Sequence, residues 1–325
     1  MLVGCVMAGA GFVSLRLVTG LPMTALSLGL AGVGISINAL ALKQLAAAAS
    51  DRMANRSRLF ALVSISINIA AAVAAPVALF FVERKQHGYV LLAVAALYCL
   101  AGQVTFANRA ALPMGKRATR AWSIGVYLAV LREPGLRPFF AINTFYWFMY
   151  GQLFSVLALF VTDTLNSPGL LGPLYTVNAL MVVTLQLGIT RLTGRWTKGS
   201  HLSAVVLANL VFVLAFLTAF ALPGISGAIV FVVLFTTAEM IFMPSGDVLI
   251  VGLIREQNRA VGYSIFAIST AMGEALGGGA GVAVYRWLAD HGHAHQFWLA
   301  AAILAAAFYV ITQWLRRTDA GKHIE

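Results

Sequence analysis

The sequence predicts an all-α polytopic membrane protein, a bundle of about ten transmembrane helices in two pseudo-repeated halves of four plus six. Three observations support this prediction: the composition, the length of the apolar runs and the placement of the charges. Of the 325 residues, 60% are hydrophobic and only 10% are charged, whereas a soluble domain carries about 25% charged residues. The chain therefore needs an apolar solvent around much of its surface.

The apolar runs are long enough to cross a hydrocarbon core of about 30 Å and are separated by polar or Pro/Gly breaks. They are evenly apolar rather than alternating, which favours helices over a barrel. The predicted spans lie near residues 2–18, 22–46, 58–81, 88–107, 138–161, 170–190, 203–221, 227–251, 261–285 and 297–315.

The basic residues predict the orientation of these spans. With an even number of helices both termini share one side, and that side carries 18 of the 22 Lys and Arg residues. Such an excess is typical of the cytoplasmic side. We therefore expect a multi-pass protein of the plasma (inner) membrane with both termini in the cytoplasm. The net charge of +11 lies in short turns between apolar runs, which favours contact with anionic lipid over nucleic acid.

The longest predicted connection, residues 108–137, is basic and divides the chain into two parts. Residues 1–107 form an N-terminal half-bundle of four helices, and residues 138–325 form a C-terminal half-bundle of six. The two parts resemble each other, because Asn38 lies 20 residues before Arg58 and Glu239 lies 20 residues before Arg259. Parallel repeats of this kind are typical of secondary transporters, whose sites lie near the middle of the membrane.

Two carboxylates fall near the middle of predicted spans, Glu239 and Glu274. A charge at that depth costs on the order of 3 kcal/mol, so such a group usually faces the bundle interior and has a function. We predict a proton-coupling role for both. A structural carboxyl bonded to a neighbouring helix or to backbone is the alternative. Residues near the cytoplasmic ends are candidates for gates or loop salt bridges: Asp247, Arg255, Arg259 and Arg58.

Polar and aromatic residues inside the spans are candidates for a substrate cavity. By helical spacing Asn143, Tyr146, Tyr150 and Phe154 fall near one face of the fifth span. Aromatic rings there would suit a bulky apolar or cationic guest. Aromatic residues also face lipid, so that alternative stays open. The further candidates are Asn38, Asn178 and Gln186, for which an ordinary hydrogen bond between helices is an equally good explanation.

Several other classes of site find little support. Residues 290–295 alternate histidines in an external turn, where zinc or copper could bind, but without a second cluster we expect a solvated loop and no metal. Cys5 and Cys99 lie in apolar segments and form no disulfide framework. The sequence contains no nucleotide-binding loop, paired catalytic carboxylates in a soluble domain or nucleophile motif, so we expect neither an enzyme nor a cofactor.

Four stretches resemble the major facilitator superfamily. The run RAVGYSIF at 259–266, followed by the glycines of 273–281, resembles the family's tenth-to-eleventh helix region. Residues 239–245, EMIFMPS, are similar to the tenth helix of its drug-efflux members. Residues 58–76 resemble the fourth-to-fifth helix region, and residues 172–186 resemble the eighth helix.

The resemblance implies alternating access by rocking of the two halves. It also implies a small-molecule substrate, protons as the coupling ion and efflux of a drug-like compound, by a protein whose surroundings are the lipid bilayer. Since the family has two six-helix halves, the resemblance further implies that this sequence lacks the first two helices. Two alternatives stay open: proton-coupled uptake of a metabolite, and a truncated ten-helix membrane protein without transport activity. The oligomeric state is not predicted.

Overall fold

A computed structural model describes the protein over residues 1–50, 56–110, 124–133, 135–255, 258–318 and 321. The side chains of residues 75, 76, 78, 79, 82 and 83 are outside this description. Of the predicted connection 108–137, residues 111–123 and Pro134 lie outside the described residues. So do five of the basic residues counted on the cytoplasmic side: Arg52, Lys116, Arg117, Arg120 and Lys322.

The described residues form helices and no strands, which confirms the predicted all-α class. Nine of the described helices are long and apolar enough to cross a membrane, and Leu2–Leu17 is a shorter apolar helix. The α-helices are α1 (Leu2–Leu17), α2 (Leu21–Ser50), α3 (Arg56–Glu83), α4 (His87–Ala107), α5 (Ile124–Leu131), α6 (Leu136–Phe154), α7 (Val156–Leu159), α8 (Leu171–Trp196), α9 (His201–Ala221), α10 (Ile225–Leu253), α11 (Arg259–Asp290) and α12 (Gln296–Arg317).

The chain divides into two units by its internal contacts. The first unit contains Met1–Ala54 and Ala70–Arg117, and the second contains Asn55–Ile69 and Ala118–Glu325. The first half of α3 therefore belongs to the second unit. α5 lies within the connection between the predicted halves, where eight residues were too short to be recognised as a membrane span.

In the first unit, α1 packs against α2 and α4. Small residues allow the backbones of α1 and α2 to approach each other closely. A Cβ atom built on Gly11 would lie 2.5 Å from the backbone nitrogen of Ala31, and one built on Gly34 would strike the backbone of Ala8. Glycine and alanine at such spacing are typical of close helix pairs in membranes.

In the second unit, α6 pairs closely with α11 through a row of glycines on α11. Gly273, Gly277 and Gly281 recur every four residues and face α6. A Cβ atom on Gly277 would lie 2.7 Å from the Cα atom of Phe148. The Gln152 amide crosses this contact, because its nitrogen donates to the Gly277 carbonyl at 2.9 Å. Backbone approach and a side-chain hydrogen bond thus hold the same pair together.

The remaining helices of the second unit assemble around α10. α10 packs extensively against α9 and also contacts α8, while α12 packs on α9. A buried amide joins α9 to α12, since Asn209 of α9 donates to the Thr312 hydroxyl of α12 at 3.2 Å. α10 is the most enclosed of the long helices, so its polar side chains must find partners within the protein.

The span predicted over 138–161 corresponds to one candidate membrane span, Leu136–Thr164, but its helix is not regular throughout. The helix ends at Phe154, and a four-residue α7 and a π-helical turn over Phe160–Thr164 follow. At the break, the Ser155 hydroxyl donates to the Gly151 carbonyl at 2.6 Å. A serine hydroxyl that bonds back to the preceding turn is a known cause of helix bending, and hydropathy does not register it.

Candidate functional site

The candidate site is centred on Glu239, which lies on α10 and is only 3% exposed. Its neighbours on the helix shape its surroundings. Thr236, one turn earlier and fully buried, shares its face of the helix, and Pro244 lies inside the same helix five residues later. A carboxyl in this position must find its hydrogen bonds within the bundle.

Two side chains from neighbouring helices donate to the Glu239 carboxyl. The Asn178 amide of α8 donates to Glu239 Oε2 at 3.0 Å and to the Thr236 hydroxyl at 2.9 Å. From α6, the Tyr150 hydroxyl donates to Glu239 Oε1 at 3.4 Å. Three helices therefore converge on one carboxyl group, and each carboxyl oxygen has a single neutral donor.

The charge balance of this cluster is unusual. Among the described residues, no basic side chain pairs with Glu239, and its partners are a tyrosine and an amide. Buried charges in proteins are normally paired with a counter-ion. A carboxyl held only by neutral donors can exchange a proton when the charge beside it changes, which is the property that proton-coupling groups need.

Aromatic rings of α6 and α10 surround the cluster. The Tyr146 ring stacks on Phe242 with 3.5 Å between centroids, and Tyr150 lies 5.9 Å from Phe235. Asn143 is on the same face of α6, and its amide donates to the hydroxyls of Ser269 at 2.7 Å and Thr270 at 3.1 Å on α11.

On the predicted face of α6, Asn143 and Tyr146 are fully buried and Tyr150 is half-buried, whereas Phe154 at the end of the helix is exposed. Two polar atoms on this face have no partner. Asn143 Oδ1 and the Tyr146 hydroxyl are buried without a hydrogen-bond partner among the described residues. Buried polar atoms of this kind are places where water or a ligand group would bind.

The predicted cavity residue Gln186 lies on α8 and is fully buried. Its amide nitrogen donates to the Met240 carbonyl at 2.8 Å and to the Thr190 hydroxyl at 3.1 Å. Its amide oxygen accepts from the Ser64 hydroxyl of α3 at 3.5 Å. Both ends of the side chain are thus engaged with neighbouring helices.

Asn38 belongs to the first unit and interacts with α1. In the amide orientation that gives both atoms a partner, its nitrogen donates to the Met1 carbonyl at 2.9 Å. Its oxygen accepts from the Cys5 backbone N–H at 3.1 Å. The side chain therefore connects α2 to the first turn of α1.

Glu274 is not part of the Glu239 hydrogen-bonded cluster. It lies on α11 beside Gly273, which faces α6, but its own side chain is exposed. The two mid-span acids that looked alike in sequence thus have opposite surroundings, one enclosed and one accessible.

The predicted gate residues lie around the turn between α10 and α11, with one exception. Asp247 is half-buried two turns after Glu239, Arg255 is exposed just after α10 ends, and Arg259 begins α11. Arg58 is exposed in the first turn of α3. Sequence reasoning missed a further contact at this turn, in which Asn258 donates to Glu133 at 2.9 Å and ties the end of α5 to α11.

The histidine-rich turn makes backbone contacts. His295 Nε2 lies 2.6 Å from the Phe220 carbonyl, and His291 Nδ1 lies 2.7 Å from the Trp287 carbonyl. In the part of the chain that the structure describes, no three His, Cys, Asp or Glu residues are grouped so as to hold a metal ion.

Apolar helices of membrane-spanning length, with their polar side chains gathered inside, define a polytopic α-helical membrane protein. The sequence profile of the Major Facilitator Superfamily matches residues 1–278. The chain belongs to this superfamily of membrane transporters.

Solved structures of transporters share the fold. The human organic anion transporter MFSD10 (TETRAN) is 17% identical with a TM-score of 0.78, over 96% of this chain and 76% of that one. A POT family transporter in complex with a thioalcohol-conjugated peptide is 14% identical with a TM-score of 0.73, over 97% and 80%. The transporter FucP in the outward conformation is 14% identical with a TM-score of 0.67, over 98% and 82%. No curated protein sequence matches the chain.

Proposed function

We propose that this protein is a secondary active transporter that exports a small, drug-like molecule by alternating access, driven by protons. The observation that carries the proposal is the Glu239 carboxyl, which is buried, has no basic partner among the described residues and is held by neutral donors from two neighbouring helices. Membership of a transporter superfamily supplies the context.

Glu239 is the proton carrier in this proposal, and Tyr150 and Asn178 hold its carboxyl in place. When protonated, the group is neutral and suited to its apolar surroundings. A substrate that brings positive charge or hydrogen-bond donors to the carboxyl stabilises the ionised form and releases the proton. Proton and substrate therefore compete for one group, and this competition is what couples their movements.

The residues around Glu239 would recognise the substrate. The rings of Tyr146 and Tyr150 offer stacking and cation–π contacts to a bulky or cationic guest. Asn143 has an unused amide oxygen in the same region. Glu274 is exposed, so we assign it the role of a second acid that takes up protons from the accessible side.

The cytoplasmic gate would lie at the turn between α10 and α11. Asp247, Arg255 and Arg259 carry charges of both signs there, and Arg58 lies in the first turn of the corresponding helix α3. The orientation that goes with this gate has both termini in the cytoplasm of a plasma (inner) membrane.

Transport in proteoliposomes tests the proposal. Purified protein would be reconstituted with an imposed pH gradient and offered ethidium as a cationic probe and carboxyfluorescein as an anionic one. We expect the gradient to drive movement of ethidium. Glu239→Gln should abolish the response to the gradient, whereas Asp290→Asn, which makes the same chemical change at an exposed position, should preserve it. Gradient-driven transport by Glu239→Gln would refute the carrier role.

Uptake of a metabolite is the second candidate function. It is favoured by one similar structure, a POT family transporter in complex with 5-aminolevulinic acid, at 14% identity and a TM-score of 0.71. Movement of 5-aminolevulinic acid in the same direction as the protons, with no movement of ethidium, would favour uptake. Movement of no probe under a gradient of either sign would favour the third possibility, a membrane protein without transport activity.

A further inference from the structure

The interior of α10 contains a proline one turn from the candidate proton carrier. Pro244 has no backbone N–H, so the carbonyl four residues earlier, that of Met240, loses its donor within the helix. In a membrane a freed carbonyl must be satisfied by a neighbouring group. Gln186 supplies that group, because its amide nitrogen lies 2.8 Å from the Met240 oxygen.

The Gln186 amide is itself held in one orientation. Its nitrogen also donates to Thr190 on the same helix, and its oxygen accepts from Ser64 of α3. Because an amide has distinct donor and acceptor ends, these partners keep the nitrogen turned toward Met240. The contact therefore joins three helices at the carbonyl that Pro244 leaves without a donor.

α8 contacts two adjacent residues of α10, Glu239 and Met240. Asn178 bonds the Glu239 carboxyl, and two turns later along α8, Gln186 bonds the Met240 carbonyl. The first contact holds a side chain and the second holds the backbone that carries it. A shift of the backbone at Met240 would move the carboxyl away from Tyr150, whose bond to it is already long at 3.4 Å.

We propose that Gln186 is a positioning residue for Glu239. By supplying the donor that Pro244 removes, it fixes the backbone of α10 beside Glu239 and keeps the carboxyl between Tyr150 and Asn178. This inference rests on Glu239 being the proton carrier, and it gives Gln186 a role other than contact with substrate.

Few other groups act on the Glu239 carboxyl. Tyr146 and Tyr150, both on α6, are titratable side chains that interact with it, and these tyrosines also interact electrostatically with Asp247 of α10 and Glu274 of α11. α8 faces it with the neutral Asn178, and α9 presents the apolar Phe212 to the same region. A change in its titration after substitution of Gln186 would therefore report on its placement and not on the removal of a charge.

Infrared difference spectroscopy tests the proposal without a substrate. The purified protein would be titrated with acid while the carboxyl C=O band that Glu239→Gln removes is followed. We expect Gln186→Leu to shift the midpoint of that band by about half a pH unit or more. In Pro244→Ala the new backbone N–H can bond Met240 directly, so Gln186→Leu should then cause no shift.

Two controls separate positioning from general loss of structure. Asn209→Leu removes another buried amide, which bonds Thr312 away from the site, and should lower the yield of folded protein without shifting the midpoint. Thr190→Val should also leave the midpoint in place, because Gln186 keeps its bond to Met240. Gln186→Asn, whose shorter amide does not reach Met240, should behave like Gln186→Leu.

The possible results distinguish this inference from the proposed function. An unchanged midpoint in Gln186→Leu, or an equal shift with proline and with alanine at position 244, would overturn the positioning role and leave Glu239 as carrier. If Glu239→Gln removed no titrating band, both the carrier role of Glu239 and the positioning role of Gln186 would be refuted. If the unsubstituted protein did not transport ethidium but Gln186→Leu still shifted the midpoint of the titration, only the proposed substrate would be overturned.

Discussion

Replacing Asn178 with leucine should destabilise the bundle, because this amide is the direct connection between α8 and the buried carboxyl of α10. The substitution roughly conserves volume and removes both bonds that the amide nitrogen makes, at 2.9 Å to Thr236 and at 3.0 Å to Glu239. It leaves Glu239 Oε2 buried without a donor. The expected loss of stability therefore comes from hydrogen bonding and not from a cavity.

The magnitude follows from the number of bonds. Side-chain hydrogen bonds between helices in membrane proteins contribute about 0.6 kcal/mol each on average and about 1.7 kcal/mol at most. Two bonds give about 1.2 kcal/mol, with an upper bound of about 3.4 kcal/mol. Thr236→Val removes only one of the two acceptors, so it should cost about 0.6 kcal/mol.

Reversible unfolding by SDS in mixed micelles, followed by tryptophan fluorescence, would measure these losses. The double variant, Asn178→Leu with Thr236→Val, should cost less than the sum of the single variants, since both remove the same bond. Thr237→Val is a matched control, because Thr237 bonds only the backbone of its own helix, at the Val233 carbonyl.

A loss below about 0.3 kcal/mol for Asn178→Leu would refute the reasoning, because it would fall within the scatter of independent sites. Strict additivity with Thr236→Val would refute it as well. In either case the hydrogen bonds seen between α8 and α10 would not be contributing to stability.

Two further predictions concern close helix contacts, and each has a control glycine with open space around it. Gly277→Leu should separate α6 from α11 and lower stability by about 3 kcal/mol or more, measured in the same SDS assay, whereas Gly279→Leu should be nearly neutral. In the first unit, Gly34→Leu should force α1 from α2, and crosslinking between cysteines placed on the two helices should fall. Gly32→Leu should preserve that crosslinking, because nothing lies within 4 Å of the Gly32 position.

Equal effects at Gly277 and Gly279 would show that α6 and α11 do not approach along the face described above. Similarly, crosslinking that survives Gly34→Leu would show that α1 and α2 are held together by something other than their small residues. Both outcomes can be read without knowing the substrate.

The positions of the helices could be predicted from the sequence because hydropathy depends on composition alone. The predicted span 88–107 corresponds to His87–Ala107, and 203–221 corresponds to His201–Ala221. The break at Ser155 was not predictable, since hydropathy does not indicate that the Ser155 hydroxyl donates to the Gly151 carbonyl. α5 was missed because eight apolar residues in a basic connection are too few to cross a bilayer.

The candidate site was predictable only in part. Helical spacing places Asn143, Tyr146, Tyr150 and Phe154 near one face, because that grouping requires only the 3.6-residue period. The period does not show which of them are enclosed: Asn143 and Tyr146 are fully buried, whereas Phe154 is exposed. The partners of Glu239 could not be read in the same way, since they lie on helices whose rotation is set by packing. Glu274 is the clearest example: it has the same residue type and depth as Glu239, yet its side chain is exposed.

The pairing of α6 with α11 has a consequence for the making of the protein. Asn143 and Ser269 are separated by 126 residues, and Gln152 and Gly277 by 125. At about 5 to 20 residues per second, a ribosome needs roughly 6 to 25 seconds to produce the second helix after the first. During that interval two amides of α6 have reached the membrane before the helix that bonds them exists. During this time the insertion machinery, or α8 and α10, must shield the two amides from lipid, because α8 and α10 are synthesised before α11.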